Sequence, residues 1–176
     1  FVRRRQRQMC IRDRTNNVLI GYECGLAATN NNFTGDNNTY IGYRCGKVHT
    51  SGDENVAVGT NCLLSNTTGN QNVAIGKDCL QANQSGASNV AMGYQSLYSN
   101  TVSNNTAIGY QCGYYNQNGT NNVAIGYKCL EGYGSNYTGT SNNVAIGYQC
   151  GQFIGSSATN NVCLLYTSPS PRDYPG

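Results

Sequence analysis

The feature that most constrains this chain is a short motif that recurs along almost its whole length, as in NNVAIGYKC at residues 121–129 and NNVAIGYQC at residues 142–150. Successive copies lie 21, 17, 17, 17, 16, 17 and 21 residues apart. Counted from the second Asn, the copies begin at Asn17, Asn38, Asn55, Asn72, Asn89, Asn105, Asn122 and Asn143, with an interrupted ninth at Asn161. A period held this closely predicts a solenoid, in which each repeat is one coil stacked on its neighbours.

Each copy of the motif alternates β-branched and small residues, as in Val73, Ala74 and Ile75. This period of two predicts a short β-strand whose Val and Ile share one face, ended by the glycine that follows. A second glycine precedes most copies by three residues, and we expect it to occupy a tight corner at positive φ. These glycines are Gly35, Gly52, Gly69, Gly86 and Gly119, with Gly139 one residue further away. Polar stretches such as residues 65–70 predict turns, and longer loops are expected around residues 26–37 and 131–142.

The predicted fold is therefore all-β, a parallel β-roll or β-solenoid of about eight stacked coils of 16–21 residues. We expect the Val and Ile side chains to be buried inside each coil. A coil this thin has little interior, so stacking and a partner chain are both expected to contribute to its stability. The small Ala and Gly residues on the opposite face would let that partner approach closely.

Both ends of the chain differ from the repeat in composition. Residues 1–14 hold six of the eleven Lys and Arg residues, and residues 163–176 hold all three prolines. Residues 9–13 (MCIRD) can be encoded by a DNA element whose reverse complement, read one base out of step, encodes residues 163–167 (CLLYT). We therefore interpret residues 1–14 and 163–176 as non-native flanks that resemble translated sequencing adapter, and residues 15–162 as a repeat array from a longer chain.

Removing the flanks reverses the sign of the charge. The whole chain carries a formal charge of +3, but residues 15–162 hold four basic and six acidic side chains, a net charge of −2. The array therefore lacks the basic surface typical of nucleic-acid binding, and we expect no nucleic-acid partner. No apolar run approaches the roughly 20 residues that would cross a bilayer, so we expect no membrane insertion in this segment.

The sequence motifs do not indicate a catalytic site. The only histidine, His49, is expected in a solvated loop, and Asp53 with Glu54 is a single acidic pair. No phosphate-binding loop, dinucleotide fingerprint or zinc-protease motif is present. We expect no enzymatic activity, no cofactor and no metal site.

Seven cysteines fall three residues after the repeat glycine, and only Ser96 interrupts this cysteine column. The column consists of Cys24, Cys45, Cys62, Cys79, Cys112, Cys129 and Cys150. Three interpretations stay open: buried free thiols that act as small apolar fillers, disulfides along the stack or between chains, and metal binding. The serine fits a filler best, and the absence of paired CxxC or His ligands counts against a metal.

A tyrosine column directly follows the repeat glycine, at Tyr22, Tyr43, Tyr94, Tyr110, Tyr127 and Tyr148. Its rings are expected either to stack between coils or to form an exposed stripe that contacts a glycan or a partner surface. The Asn that opens each copy is expected to form a hydrogen-bonded side-chain ladder.

The strings NVAIGYKCL, NTAIGYQC, SLYSNT and LSNTTG resemble the repeats of trimeric autotransporter adhesin heads. They resemble more closely the repeat arrays of phage tail-fibre and bacterial surface proteins with an endosialidase-type intramolecular chaperone. The resemblance covers residues 15–162 and implies a left-handed β-roll, an intertwined homotrimer, and a place on a cell surface or virion. This chain departs from the family in its cysteine column and its coils of 17 residues.

The sequence thus predicts a structural attachment segment of an extracellular or virion fibre, with itself and a host-cell surface or glycan as partners. The alternative is a carbohydrate-binding solenoid that uses the tyrosine column.

Overall fold

The fold is a β-solenoid of about eight turns, built on one parallel sheet. The computed structural model describes residues 16–26, 33–132, 140–152, 154 and 158–164, and these contain nine strands and no helix. The strands are β1 (Val18–Ile20), β2 (Thr39–Tyr43), β3 (Val56–Thr60), β4 (Val73–Lys77), β5 (Val90–Tyr94), β6 (Thr106–Tyr110), β7 (Val123–Tyr127), β8 (Val144–Tyr148) and β9 (Val162–Leu164). They lie side by side in sequence order, so the predicted all-β parallel solenoid is confirmed.

The register of the sheet aligns equivalent residues of every repeat. In β3 and β4, for example, Ala57 pairs with Ala74 and Gly59 with Gly76, and the same alignment continues through β8. Each position of the motif therefore becomes a column along the solenoid, with a spacing of about 4.8 Å between neighbouring strands. The predicted boundary of the repeat array at residue 162 falls inside β9, which pairs in register with β8.

The interior of the solenoid contains the small residues of the motif. Ala57, Ala74, Ala91, Ala107 and Ala145 are fully buried at the second position of their strands. The core also contains the buried cysteines and the leucines Leu63, Leu80, Leu97 and Leu130.

The expectation that Val and Ile fill the coil, with Ala facing a partner, was wrong. Val and Ile at the first and third strand positions share one face, as predicted, but that face points outward and is half-buried or exposed. The alternation of a strand separates the two sets without saying which lies inside. The coil is narrow, and its interior has room for Ala beside Leu and Cys.

In β2 to β8 the repeat glycine is the fourth strand residue and does not end the strand as predicted, whereas Gly21 directly follows β1. Neighbouring backbones approach too closely at this position for a side chain. Gly59 has a φ of 127°, and a Cβ added there would lie 1.8 Å from the carbonyl oxygen of Gly76. The expected positive φ at the corner glycines was also wrong. Gly52, for example, does not adopt it, yet a Cβ there would lie 2.3 Å from the Gly69 carbonyl oxygen. Gly139 lies outside the described residues.

Residues other than glycine take the left-handed conformation at the corners. In the fourth coil these are Gln71, Asp78 and Leu80, with φ values of 57°, 55° and 51°. Such a conformation costs roughly 1–2 kcal/mol per residue outside glycine. Backbone hydrogen bonds to the preceding coil hold two of these corners, from Gln71 N to Asp53 O at 2.9 Å and from Asp78 N to Thr60 O at 2.8 Å.

Two coils fill the interior differently from the others. Tyr40 replaces the inward Ala, and Gly46 stands where four other coils have Leu, a position that Gly113 and Gly151 also occupy. A Cβ at Gly46 would lie 2.3 Å from the Tyr40 ring, so the large and the small residue are complementary. Leu19 and Gly25 repeat this exchange in the first coil, where a Cβ at Gly25 would lie 2.9 Å from Leu19 Cδ1.

The asparagines that open each copy form the predicted ladder, which is confirmed. Asn72 is fully buried, and its Nδ2 donates to Asn55 Oδ1 at 3.1 Å and to the Gly86 carbonyl at 2.9 Å. Its Oδ1 accepts hydrogen bonds from the backbone and side-chain nitrogens of Asn89 at 3.0 and 3.1 Å. The Asn72 amide therefore joins the coil before it to the coil after it, with both donor and acceptor capacity used inside the protein.

We predict that Asn72→Asp lowers the free energy of unfolding by about 3 kcal/mol or more. The change removes both Nδ2 donors and places a buried carboxylate against two oxygen acceptors. Chemical denaturation followed by circular dichroism measures the effect.

The matched control is Asn70→Asp, two residues earlier. Asn70 is exposed, and its Oδ1 accepts a hydrogen bond from Asp53 N that a carboxylate also accepts. This variant should stay within about 1 kcal/mol of the parent. Equal losses in the two variants would contradict a special role of the buried ladder.

Candidate functional site

The candidate interaction surface is the outward face of the sheet, defined as the first and third residues of β2 to β8. It comprises Thr39, Ile41, Val56, Val58, Val73, Ile75, Val90, Met92, Thr106, Ile108, Val123, Ile125, Val144 and Ile146. Twelve of these fourteen residues are apolar. Ile108 and Ile146 are 37% and 39% exposed, and the others are partly buried. A continuous apolar strip of this length is typical of a surface that contacts another chain.

The tyrosine column lies at the fifth position of β2 and of β5 to β8, with Tyr22 two residues after β1. Its rings are stacked, and all but Tyr94 are exposed. Tyr94, Tyr110, Tyr127 and Tyr148 form an unbroken stack, with ring centroids 5.2, 5.1 and 5.0 Å apart and interplanar angles of 10° or less. Tyr22 and Tyr43 form a second stack at 5.4 Å. Because each ring covers the face of its neighbour, the column presents mainly ring edges and hydroxyl groups to solvent.

Two residues interrupt the tyrosine column, Thr60 in β3 and Lys77 in β4. The Lys77 ammonium lies 5.5 Å from the centroid of the Tyr94 ring, within the range of a cation–π interaction. At the other stack, the Arg44 guanidinium lies 5.1 Å from the Tyr43 ring. Cations therefore lie beside the rings at the end of each stack that faces the gap.

The cysteine column lies inside the solenoid and makes a regular set of hydrogen bonds. Its thiols from Cys24 to Cys129 donate to the repeat-glycine carbonyl of the next coil at 2.8–3.3 Å. Ser96 makes the same contact, from its hydroxyl to Gly109 O at 2.7 Å, and a second one to Met92 O at 3.0 Å. The column thus combines a small side chain with a donor, and this donor role was missing from the sequence interpretation.

Five of the six free thiols of the column are buried, and Cys24 is partly exposed. Cys24, Cys45, Cys62, Cys79, Cys112 and Cys129 are free, whereas Cys150 is disulfide-bonded to Cys163 in β9. Burial raises the pKa of the Cys112 thiol to about 12, so this side chain is not a thiolate at neutral pH. A protonated, buried thiol is a poor nucleophile.

His49 is fully buried, so its expected place in a solvated loop was wrong. Its Nδ1 lies 3.0 Å from the Tyr40 hydroxyl, its Nε2 lies 2.8 Å from Gly52 O, and Phe33 packs on the ring at 4.7 Å. Burial lowers the pKa of His49 to about 4. The imidazole is therefore neutral near pH 7 and occupied by structural contacts.

His49 begins a second buried polar column that the sequence interpretation missed. The column continues with Asn66, Asn83, Asn100 and Asn116, each at most 5% exposed. Asn83 Nδ2 donates to Asn66 Oδ1 at 3.2 Å and to Gly86 O at 2.9 Å, and Asn116 bonds Asn100 and Gly119 in the same way. The signal was present, because these positions are spaced by 17, 17, 17 and 16 residues.

Charged side chains form one cluster at the first coils. Glu23 Oε2 accepts from Arg44 Nε and from Lys47 Nζ, both at 2.9 Å. The hydrogen bond from Lys47 is the main reason why the pKa of Glu23 lies near 2. A surface cluster of this kind contributes little to stability.

Asp53 and Glu54, the acidic pair considered in the sequence, also have structural partners. Asp53 Oδ1 accepts from Asp36 N at 2.8 Å, and Glu54 Oε2 accepts from Gln71 Nε2 at 3.0 Å. In the part of the chain that the structure describes, no group of three or more His, Cys, Asp or Glu side chains could hold a metal ion. Within the same residues, there is no helix of the length and hydrophobicity that a bilayer crossing needs.

No protein-family model, curated protein or solved structure matches this chain.

We predict that Cys62→Ser changes the free energy of unfolding by less than about 1 kcal/mol, whereas Cys62→Val lowers it by about 1–3 kcal/mol. Serine keeps a donor toward Gly76 O, as Ser96 does toward Gly109 O. Valine has the apolar character of a filler but sets methyl groups against backbone carbonyls in a packed interior. Urea denaturation of both variants decides between the two roles, and the reverse order of stability would favour a purely apolar filler.

We predict that His49 makes the solenoid less stable as the pH falls from about 6.5 to about 4. In this window the unfolded chain binds the proton that the buried imidazole does not, so the free energy of unfolding decreases toward low pH. The full effect is roughly 3 kcal/mol, at about 1.4 kcal/mol per pKa unit. Urea denaturation at several pH values measures it.

The control is His49→Asn, which installs the residue found in the rest of that column. This variant should lose the pH dependence between about 6.5 and 4.5. The contribution of Glu23 is lost only below its ordinary pKa of 4.5, so it does not overlap. An unchanged slope in His49→Asn would assign the effect to other groups.

Proposed function

We propose that residues 15–162 form a structural attachment segment of an extracellular or virion fibre, in which copies of the chain associate through the outward face. The segment has no catalytic activity of its own in this proposal. The observation that carries it is the apolar outward face, which runs the length of the sheet from β2 to β8. At about 4.8 Å per strand, seven strands give a strip about 30 Å long.

The chemistry of the outward face favours a partner of the same kind. Its Val, Ile and Met side chains carry no charge, and Thr39 and Thr106 are its only polar members. The interior holds mostly Ala, Cys and Leu, so the Val, Ile and Met side chains of the outward face remain partly in contact with water. Burying them against identical columns stabilises both chains, at about 25 cal/mol per Å² of apolar surface.

The number of chains and the hand of the coil come from the resemblance, which implies a homotrimer and a left-handed roll. The same resemblance supports a location on a bacterial surface or a virion and a host-cell surface as the partner. Repeated surfaces on three parallel chains would support attachment by multivalency, because several weak contacts then act together.

Carbohydrate binding by the tyrosine column has weaker support. Sugars pack against the faces of aromatic rings, whereas the faces of Tyr110 and Tyr127 are covered by neighbouring rings about 5 Å away. The exposed ring edges and hydroxyl groups offer hydrogen bonds but no stacking platform. We therefore prefer self-association through the outward face.

Native mass spectrometry of the full chain, with and without reductant, tests the proposal. We expect a threefold mass that survives reduction, because packing of the outward face holds the chains. The double variant Ile75→Asp with Ile125→Asp should convert this species into monomers, since it places two carboxylates within the apolar strip.

The matched control is Thr68→Asp, because Thr68 is exposed in a turn and lies outside the outward face. This variant should keep the threefold mass, and circular dichroism should show an unchanged sheet in all variants. A parent chain that is monomeric while fully folded would contradict the proposal.

A further inference from the structure

The longest tyrosine stack has the geometry of a covalent cross-linking site. Tyr94, Tyr110, Tyr127 and Tyr148 stand in consecutive strands, with successive ring centroids 5.0–5.2 Å apart and interplanar angles of 5–10°. The strands are parallel and in register, so each phenol is a near copy of its neighbour shifted along the solenoid. The reactive ring carbons beside one hydroxyl group therefore lie over the same carbons of the next ring.

Three of the four rings are also exposed, and Tyr94 is partly buried. Tyr110, Tyr127 and Tyr148 are 41%, 38% and 54% exposed, in contrast to Tyr40, which is fully buried. Because the stacked faces cover one another, the exposed parts are the edges, which include the hydroxyl group and its neighbouring carbons. These exposed edges are the parts of the rings from which an oxidant in solvent can take an electron.

We propose that this stack is a modification site at which hydrogen peroxide, acting through a haem peroxidase, joins tyrosines of adjacent coils as dityrosine. Each of two phenols loses one electron to the oxidised haem and its hydroxyl proton to solvent, which leaves two phenoxyl radicals. A carbon–carbon bond forms between the ring positions beside the two hydroxyl groups, and the hydrogens on those carbons move to the oxygens. One hydrogen peroxide is reduced to two water molecules for each cross-link.

The structure also sets the limits of the reaction. Thr60 and Lys77 separate Tyr43 from Tyr94, so the links should not cross this gap. The stacked pair Tyr22 and Tyr43, at 5.4 Å, forms a separate unit on the other side. Within the long stack, a radical formed on any ring can pass to its neighbour by electron exchange, so the coupled pairs are adjacent ones. The product would fasten successive coils to each other along the sheet.

The test is treatment of the full chain with horseradish peroxidase and hydrogen peroxide at low protein concentration. We expect dityrosine fluorescence, a loss of two hydrogen atoms per cross-link in the intact mass, and migration as a single chain on a denaturing gel. Peptide mapping should locate bonds at Tyr94–Tyr110, Tyr110–Tyr127 or Tyr127–Tyr148, separate from any bond in another stacked pair, Tyr98 and Tyr114, whose ring centroids are 4.9 Å apart. The thermal midpoint should rise, because a cross-link between coils opposes their separation.

Two Phe variants make the assignment specific. Tyr127→Phe keeps a stacked ring but lacks the phenol, so both links that involve residue 127 should disappear while Tyr94–Tyr110 remains. The matched control Tyr43→Phe should remove only the Tyr22–Tyr43 product and leave the long stack unchanged. Three results would overturn the proposal. They are no dityrosine at all, dityrosine only between separate chains, and an unchanged yield of dityrosine within this stack in Tyr127→Phe.

Discussion

The asparagine ladder is the interaction on which the rest of the structure depends. Ladder amides such as that of Asn72 bond the coil before and the coil after. They also accept the backbone N–H of the next ladder residue, as Asn55 Oδ1 does from Asn72 at 2.9 Å. The backbone N–H bond to the preceding ladder asparagine is kept where the copies are 16 residues apart, at Asn105, and where they are 21 apart, at Asn143. The differences in repeat length therefore lie in loops outside the ladder. Since a shift of one residue would turn every side chain to the other face of the sheet, this fixed register determines what is inside and what is outside.

Once the register is fixed, volume decides the composition of the two faces. The interior accepts Ala in the strand together with Leu and Cys, and an enlargement at one position is matched by a reduction at another, as with Tyr40 and Gly46. A packed interior with so little free space leaves no room for the Val and Ile columns. They remain on the outward face, where they are partly exposed to water. The solenoid therefore has a continuous apolar surface along its strands.

The strands and their order could be predicted from the sequence, but which side chains are buried could be predicted less well. The period and the alternation were sufficient for the strands, their parallel order and the ladder, because each depends on a repeated local pattern. Which strand face is buried depends on the cross-section of the coil, which no single repeat specifies. His49 illustrates the same limit: as an isolated loop histidine it suggests solvent, but as the first member of a column with Asn66 and Asn83 it has to be buried. Corner glycines were assigned to positive φ, whereas the structure uses them for close backbone approach and leaves the left-handed turns to residues such as Gln71 and Leu80.

A solenoid of this kind turns every side chain into a column, and this determines what kind of function it can support. Repeating one reactive residue about every 4.8 Å does not build a catalytic site. Its neighbours in the column are copies of itself, whereas a catalytic site combines different residues such as an acid, a base or a ligand. The cysteines show this: each thiol meets a glycine carbonyl, not a base, and burial keeps the Cys112 thiol protonated. Columns instead repeat interactions between identical side chains, such as apolar packing, amide hydrogen bonds and the stacking of phenol rings. Extended surfaces are therefore the functional elements to which this architecture is suited, and the outward face is the longest apolar surface among them.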